Sequence, residues 1–168
     1  ETEDTSGCQV IAKNNKFLRN CNKLISERKV KKTYQAIVHG NWIHKDGIYQ
    51  INIEKNMLIG KERMVRISDG GKIAKTFFKV IESSKHFSLI QCELITGRTH
   101  QLRVHLSELG FPIVGDKKYG SKENKFSTSS GHKKRMYLHA NSFISKDLNI
   151  HINVKPPKEF KKILKNDE

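Results

Sequence analysis

The stretch from Gly97 to Gly120, GRTHQLRVHLSELGFPIVGDKKYG, constrains the fold of this chain more than any other. Gly97-Arg98-Thr99 is a turn able to release a strand and start a helix, with Thr99 as the expected N-cap. Leu102, Leu106 and Leu109 follow at helical spacing. Gly110 stands where a helix of about three turns needs a left-handed residue at its end. Arg98, His100, Gln101, Arg103 and His105 crowd the same segment with more hydrogen-bonding capacity than a short amphipathic helix requires. On composition alone this reads as a basic surface helix with a solvated face.

The flanking segments set the fold class. Cys8 to Ala12 is a short, mostly apolar run expected as a strand, and Phe17, Leu18, Cys21, Leu24 and Ile25 fall on one face of a helix from Asn15 to about Lys29. From Lys31 to Gly40 the chain alternates, with Tyr34, Ala36 and Val38 on one side of a strand and Gln35, Ile37 and His39 on the other. Short strands are expected over Gly47–Ile53 and Met64–Ile67, a turn at Asp69-Gly70-Gly71, and a hairpin from Ala74–Ile81 and Phe87–Ile95. Ser121 to Arg135 has no hydrophobic period and reads as a mobile basic loop. Tyr137–Ile144 and Asn149–Val154 form a second hairpin, and Pro157 suits the entry to a last helix carrying Phe160, Ile163 and Leu164. The expectation is one α+β domain over residues 1–168: a mixed, mostly antiparallel sheet with two or three helices packed on it.

Charge narrows the partner. Lys and Arg number 32 against 17 Asp and Glu, a net +15, which suits a polyanion and nucleic acid first of all. A lysine-rich background accounts for part of that excess. Cys8, Cys21 and Cys92 are far apart in apolar surroundings and read as buried thiols, not as a disulfide set or a zinc site. The eight histidines show no metal-ligand spacing, and His100 and His105 do not share a helix face. With no long apolar run and no signal peptide, a soluble, cytoplasmic protein is expected.

The whole string from Gly97 to Gly120 resembles the pseudouridine synthases of large-subunit ribosomal RNA, the RluA/RluC type, whose hallmark is GRTHQ-(I/L)-R-x-H followed by G-x-P-(I/V)-x-G-D-x-x-Y-G. Lys32 to Gly40 resembles that family's K-x-Y-x-A-x-V-x-G strand, and Asn41-Trp42 continues it as in RluC-type members. Asp4 to Lys13 is similar to the end of its H-R-L-D-x-x-T-S-G-(x)3-(I/V)-A-K stretch. The resemblance implies isomerisation of uridine to pseudouridine in 23S ribosomal RNA, without cofactor or metal, on a base flipped out of its helix by a monomeric enzyme. It makes Tyr34 the residue that stacks on the uracil and helps move the C5 proton, and Arg98 the partner of the catalytic aspartate. In register on Thr5-Ser6-Gly7, that aspartate's position falls on Thr2, which has no carboxylate; Asp4 is the nearest one. Gln101, Arg103 and His105 match supporting positions. Lys133, Lys134 and Arg135, with lysines of the last helix, are expected to hold phosphates.

Two further expectations follow. A strand at Cys8–Ala12 would lack sheet neighbours, so the chain reads as an N-terminally truncated catalytic domain. The alternative to an enzyme is a catalytically inactive, RNA-binding remnant of one. A basic ribosome-associated structural protein would explain the charge but not the matched motifs.

Overall fold

The computed structural model describes residues 4–59, 62–120 and 135–168. Thr2, Lys133 and Lys134, and the basic loop apart from Arg135, lie outside them. In chain order the elements are β1 (Ser6–Gly7), α1 (Asn15–Ser26), β2 (Lys31–His39), β3 (Gly47–Ile59), β4 (Glu62–Ile67), β5 (Lys72–Ser83), β6 (Phe87–Leu94), α2 (Gln101–Glu108), β7 (Leu138–Ser145), β8 (Ile150–Asn153) and α3 (Lys158–Lys165). The strands form one sheet in the order β1-β7-β2-β6-β5-β3-β4, with β8 also on β7. Only the β1–β7 pairing is parallel among the described strands. The expected α+β class, its mostly antiparallel sheet and three helices are all present. No described helix is long and apolar enough to cross a membrane.

β2 is central because its alternation buries both sides. Tyr34, Ala36 and Val38 join Phe78, Ile90, Leu102 and Leu106 on the face covered by α2. Ile37 joins Leu89, Phe160, Ile163 and Leu164 on the opposite face, covered by α3. The β2–β7 register shifts between Thr33, opposite Ser142, and Tyr34, opposite Ala140. Asn141 is thus the extra residue of a bulge, and it returns Phe143 to the face of Tyr34. There Phe143 packs on Cys21 and Leu24 of α1. So α1 and α2 share a face and α3 lies behind it.

Two local expectations are corrected. Cys8–Ala12 is not a strand: the pairing residues are Ser6 and Gly7, opposite His139 and Ala140. Gly7 has φ +110, and a Cβ there would run into the Ala140 carbonyl, so the backbone lies against β7 where only glycine fits. After Cys8 N–H donates to Ala140 O (3.0 Å) the chain leaves the sheet, and Cys8 and Val10 pack in the α1 cluster instead. Thr99 is not the N-cap of α2. The preceding residue is His100, left-handed at φ 53, and it makes no side-chain cap bond. At the other end Gly110 is left-handed as expected (φ +85); Gly110 N–H donates to Ser107 O and Phe111 N–H to Leu106 O, the two bonds of a Schellman stop.

Candidate active site

A cleft of about 390 Å³ opens on the α1/α2 face. Its floor is Lys32, Tyr34, Leu94 and Leu138, its wall runs from Gly97 to Arg103, and Thr5 stands at its edge. Tyr34 and Arg98, the two residues expected to do chemistry, therefore meet in one cavity. Tyr34 is 8% exposed and rests on the core through Leu138 and Ala140. Arg98 is exposed, and its Nε donates to Ile73 O (3.1 Å) across from the cleft wall.

Gln101 holds the turn that carries Arg98. Its Oε1 accepts from the Arg98 backbone N–H (3.0 Å) and from Thr96 Oγ1 (2.7 Å). Its Nε2 donates to Lys75 O (2.8 Å) and Thr76 Oγ1 (2.9 Å). Because a backbone N–H can only donate, the amide orientation is set by its partners. No side chain caps α2; the glutamine instead ties the preceding turn to β5. Thr76 Oγ1, which accepts from Gln101, also lies within hydrogen-bond reach of His105 Nδ1 (3.2 Å). His105 is fully buried, edge-on to Phe78 with centroids 5.0 Å apart, and Nε2 has no hydrogen-bond partner among the described residues. Burial holds its pKa down to about 4, so it is neutral at pH 7.

Arg103 is an internal tie, not a surface cation. Its Nε and Nη2 donate to Asp116 Oδ2 (2.9 Å) and Oδ1 (2.6 Å), both side chains being buried. Its guanidinium also lies 5.0 Å from the Tyr119 ring centroid. Tyr119 Oη accepts from Val65 N–H (3.1 Å), so its proton is directed to His100 Nδ1 (2.7 Å). Burial first, and then the charges of Arg103 and Lys118, bring the His100 pKa down to about 4. The two halves of the Gly97–Gly120 string thus close on each other through side chains, a pairing the sequence does not announce.

On the far edge, β1 is pinned by a second polar chain. Arg135 Nη2 donates to Ser6 Oγ (2.9 Å), Ser6 Oγ lies 2.8 Å from His139 Nδ1, and His139 Nε2 lies 2.8 Å from Val154 O. The Val154 carbonyl only accepts, so the His139 proton is on Nε2 and Ser6 donates to Nδ1. Burial, with Arg135 adding to it, lowers the His139 pKa. Arg135 stacks over Phe160 at 5.7 Å and lies 3.8 Å from Glu159, so it stands as an anchor at the edge of α3. Asp4 is exposed and does not line the cleft, although its neighbour Thr5 does. The last helix lies on the opposite face of the sheet and contributes nothing to the cleft.

Lys32 is the floor residue that sequence reasoning passed over. A Cβ at Gly97 would stand 3.4 Å from its Nζ, which places the ammonium at the cleft wall. The signal was present: Lys32 precedes Tyr34 by two on the same strand, hence on the same face. No group of three or more metal-ligating side chains occurs among the described residues. The arrangement offers an aromatic face at the bottom of a half-open cleft with two cations beside it, which suits a planar ring joined to an anion.

The sequence profile described as RNA pseudouridylate synthase matches residues 3–108. The ribosomal large subunit pseudouridine synthase C of Salmonella typhi is 39% identical over 139 residues, covering 82% of this chain and 44% of that protein. The protein of the same name from Escherichia coli K12 is 38% identical over the same coverage. Among solved structures, human RNA pseudouridylate synthase domain containing 1 superposes with TM-score 0.72 at 28% identity, over 91% of this chain and 64% of that one. Human domain containing 4 gives 0.67 at 26%, over 88% and 66%. The chain spans less than half the length of the curated relatives it matches.

Proposed function

The chain belongs to the RNA pseudouridylate synthase family, and from that premise we propose that it is the larger part of a catalytic domain that isomerises uridine to pseudouridine in large-subunit ribosomal RNA, in the cytoplasm and without cofactor or metal. The observation that carries this reading is the meeting of Tyr34 and Arg98 in one cleft. Tyr34 gives the flipped uracil an aromatic surface, and its hydroxyl is the group for the C5 proton. Arg98 orients the carboxylate that assists cleavage of the glycosidic bond, because a guanidinium holds a carboxylate in one geometry and keeps it ionised. Gln101 keeps the Arg98 turn in place, and Arg103 and His105 support it from within.

The carboxylate itself is the open position, since the register on Thr5-Ser6-Gly7 assigns it to Thr2. That observation favours a second reading, an RNA-binding remnant without catalysis. Release of tritium from C5-labelled uridine in ribosomal RNA separates the two. The 168-residue chain is expected to release none. A chain carrying Thr2→Asp and completed with upstream sequence is expected to turn over, with Tyr34→Phe slowing the reaction while RNA still binds. Turnover by the unaltered chain would place the carboxylate elsewhere, Asp4 being nearest. Tight RNA binding by the completed Thr2→Asp chain without turnover would establish the remnant.

A further inference from the structure

A smaller groove of about 90 Å³, between the end of α1 and the ends of β2 and β6, adjoins the cleft and shares Lys32, Leu94 and Gly97 with it. Arg28 and Lys31 border this groove, Lys32 is common to both cavities, and Glu93 is the one carboxylate in its lining. The end of α1 is unusual. Arg28 N–H donates to Ile25 O (3.1 Å) and Lys29 N–H to Leu24 O (2.9 Å), the same two-bond stop that ends α2. At α2 the left-handed position of that stop is Gly110; at α1 it is Arg28, at φ 59. A side chain with a Cβ is strained there, and glycine is the residue that helix geometry favours. The Arg28 side chain is exposed and makes no hydrogen bond or ion pair with any described residue. The left-handed turn itself ends α1, and an arginine there in place of glycine sets a guanidinium side chain beside the groove.

We propose that this groove takes the phosphodiester backbone of the RNA strand as it leaves the cleft, with Arg28, Lys31 and Lys32 as countercharge. The inference rests on the functional reading above and adds the path of the strand. Two features select this occupant: the groove adjoins the cleft, sharing Lys32, Leu94 and Gly97 with it, and its lining holds three cations against one carboxylate, which fits a repeating monoanion. Arg28 follows α1 and the two lysines open β2, so the strand leaves past the end of α1.

The test is fluorescence anisotropy with a short fluorescein-labelled oligouridylate, titrated at several KCl concentrations. Arg28→Gly and Lys31→Gln should each reduce the slope of log affinity against log salt by about 0.7, the value for one single-strand phosphate contact. Arg28→Lys should keep the wild-type slope. Arg28→Gly should also hold or raise the melting temperature, because it relieves the left-handed residue, so weakened binding cannot be ascribed to unfolding. Lys161→Gln with Lys162→Gln, on the opposite face, should leave the slope unchanged. A slope unmoved by Arg28→Gly and Lys31→Gln, or moved as much by the α3 pair, overturns the groove. So does displacement of the probe by polyglutamate as readily as by unlabelled RNA, which would give the groove to an acidic protein segment. A wild-type chain that fails to bind the probe takes down the functional reading as well, whereas binding with unmoved slopes sinks the groove alone.

Discussion

On the face of the sheet that carries α3, Ile37, Leu89, Phe160, Ile163 and Leu164 meet with apolar atoms. On the face that carries α2, the apolar cluster around Phe78 and Leu106 shares its space with Thr76, Gln101, Arg103, His105 and Asp116, all buried. The strands are the same and only the covering helix differs. Apolar contacts fill volume without fixing direction, while each buried hydrogen bond specifies where one atom must point. The α3 face keeps its buried polar groups at one edge, where His139, 6.2 Å from the Phe160 ring, links Ser6 to Val154, and its centre needs only to be closed. The α2 face must hold the turn that sets Arg98 in the cleft lining, and Gln101 does this with four bonds in fixed directions.

The comparison breaks most readily at Arg103. Asp116→Asn keeps the volume and removes the charge, leaving a buried guanidinium without its counter-ion. A loss of about 3–5 kcal/mol is expected in urea unfolding, the usual cost of breaking such a pair from one side. A loss below about 1 kcal/mol would mean that the α2 face is held by its apolar atoms after all.

Acid sharpens the contrast. His100 and His105 both have folded pKa values near 4 against an ordinary 6.5, so the unfolded chain binds protons that the folded chain refuses. Their contribution to stability is complete above about pH 6.5 and is lost as pH falls towards 4. The melting temperature should therefore drop between pH 7 and pH 5, and His105→Leu should shrink that drop. An equal drop in the variant would assign the effect to other groups, His139 first, since its pKa is also lowered.

The smallest change is expected behind the sheet. Phe160→Leu replaces one buried apolar side chain by another and should cost no more than about 1.5 kcal/mol by the same urea measurement. A cost matching that of Asp116→Asn would show the two faces to be equally exacting.

The periodic elements were legible in the sequence because their causes are local. The alternation in β2, the hairpins β5–β6 and β7–β8, and the i, i+3, i+4 spacing of Phe160, Ile163 and Leu164 each follow from neighbours a few residues away. What was not legible depended on partners far along the chain. Cys8–Ala12 looks like a strand, but its apolar residues are met by α1 and Phe143, and the sheet takes Ser6 and Gly7 instead. Thr99 has the chemistry of a cap, yet α2 starts uncapped after His100, and the turn is held by Gln101, whose amide Lys75 and Thr76 of β5 complete. The side of the sheet on which α3 lies is a property of topology; its lysines, expected to hold phosphates, stand on the face opposite the cleft. In the site, Tyr34 and Arg98 came from the family resemblance, whereas Lys32 needed only the period of a strand.

The pinning of Ser6 has a consequence for how the protein is made. The chain leaves the ribosome in order, and Ser6 emerges long before Arg135, His139 and Val154, the residues that hold it. Gly7 likewise has no strand to lie against until Ala140 is available. The central hairpins can pair as they appear, but the edge of the cleft formed by Thr5 has to wait for the second hairpin. The cavity is therefore among the last parts of the molecule to exist, and a nascent chain carries its basic surface before it carries a site.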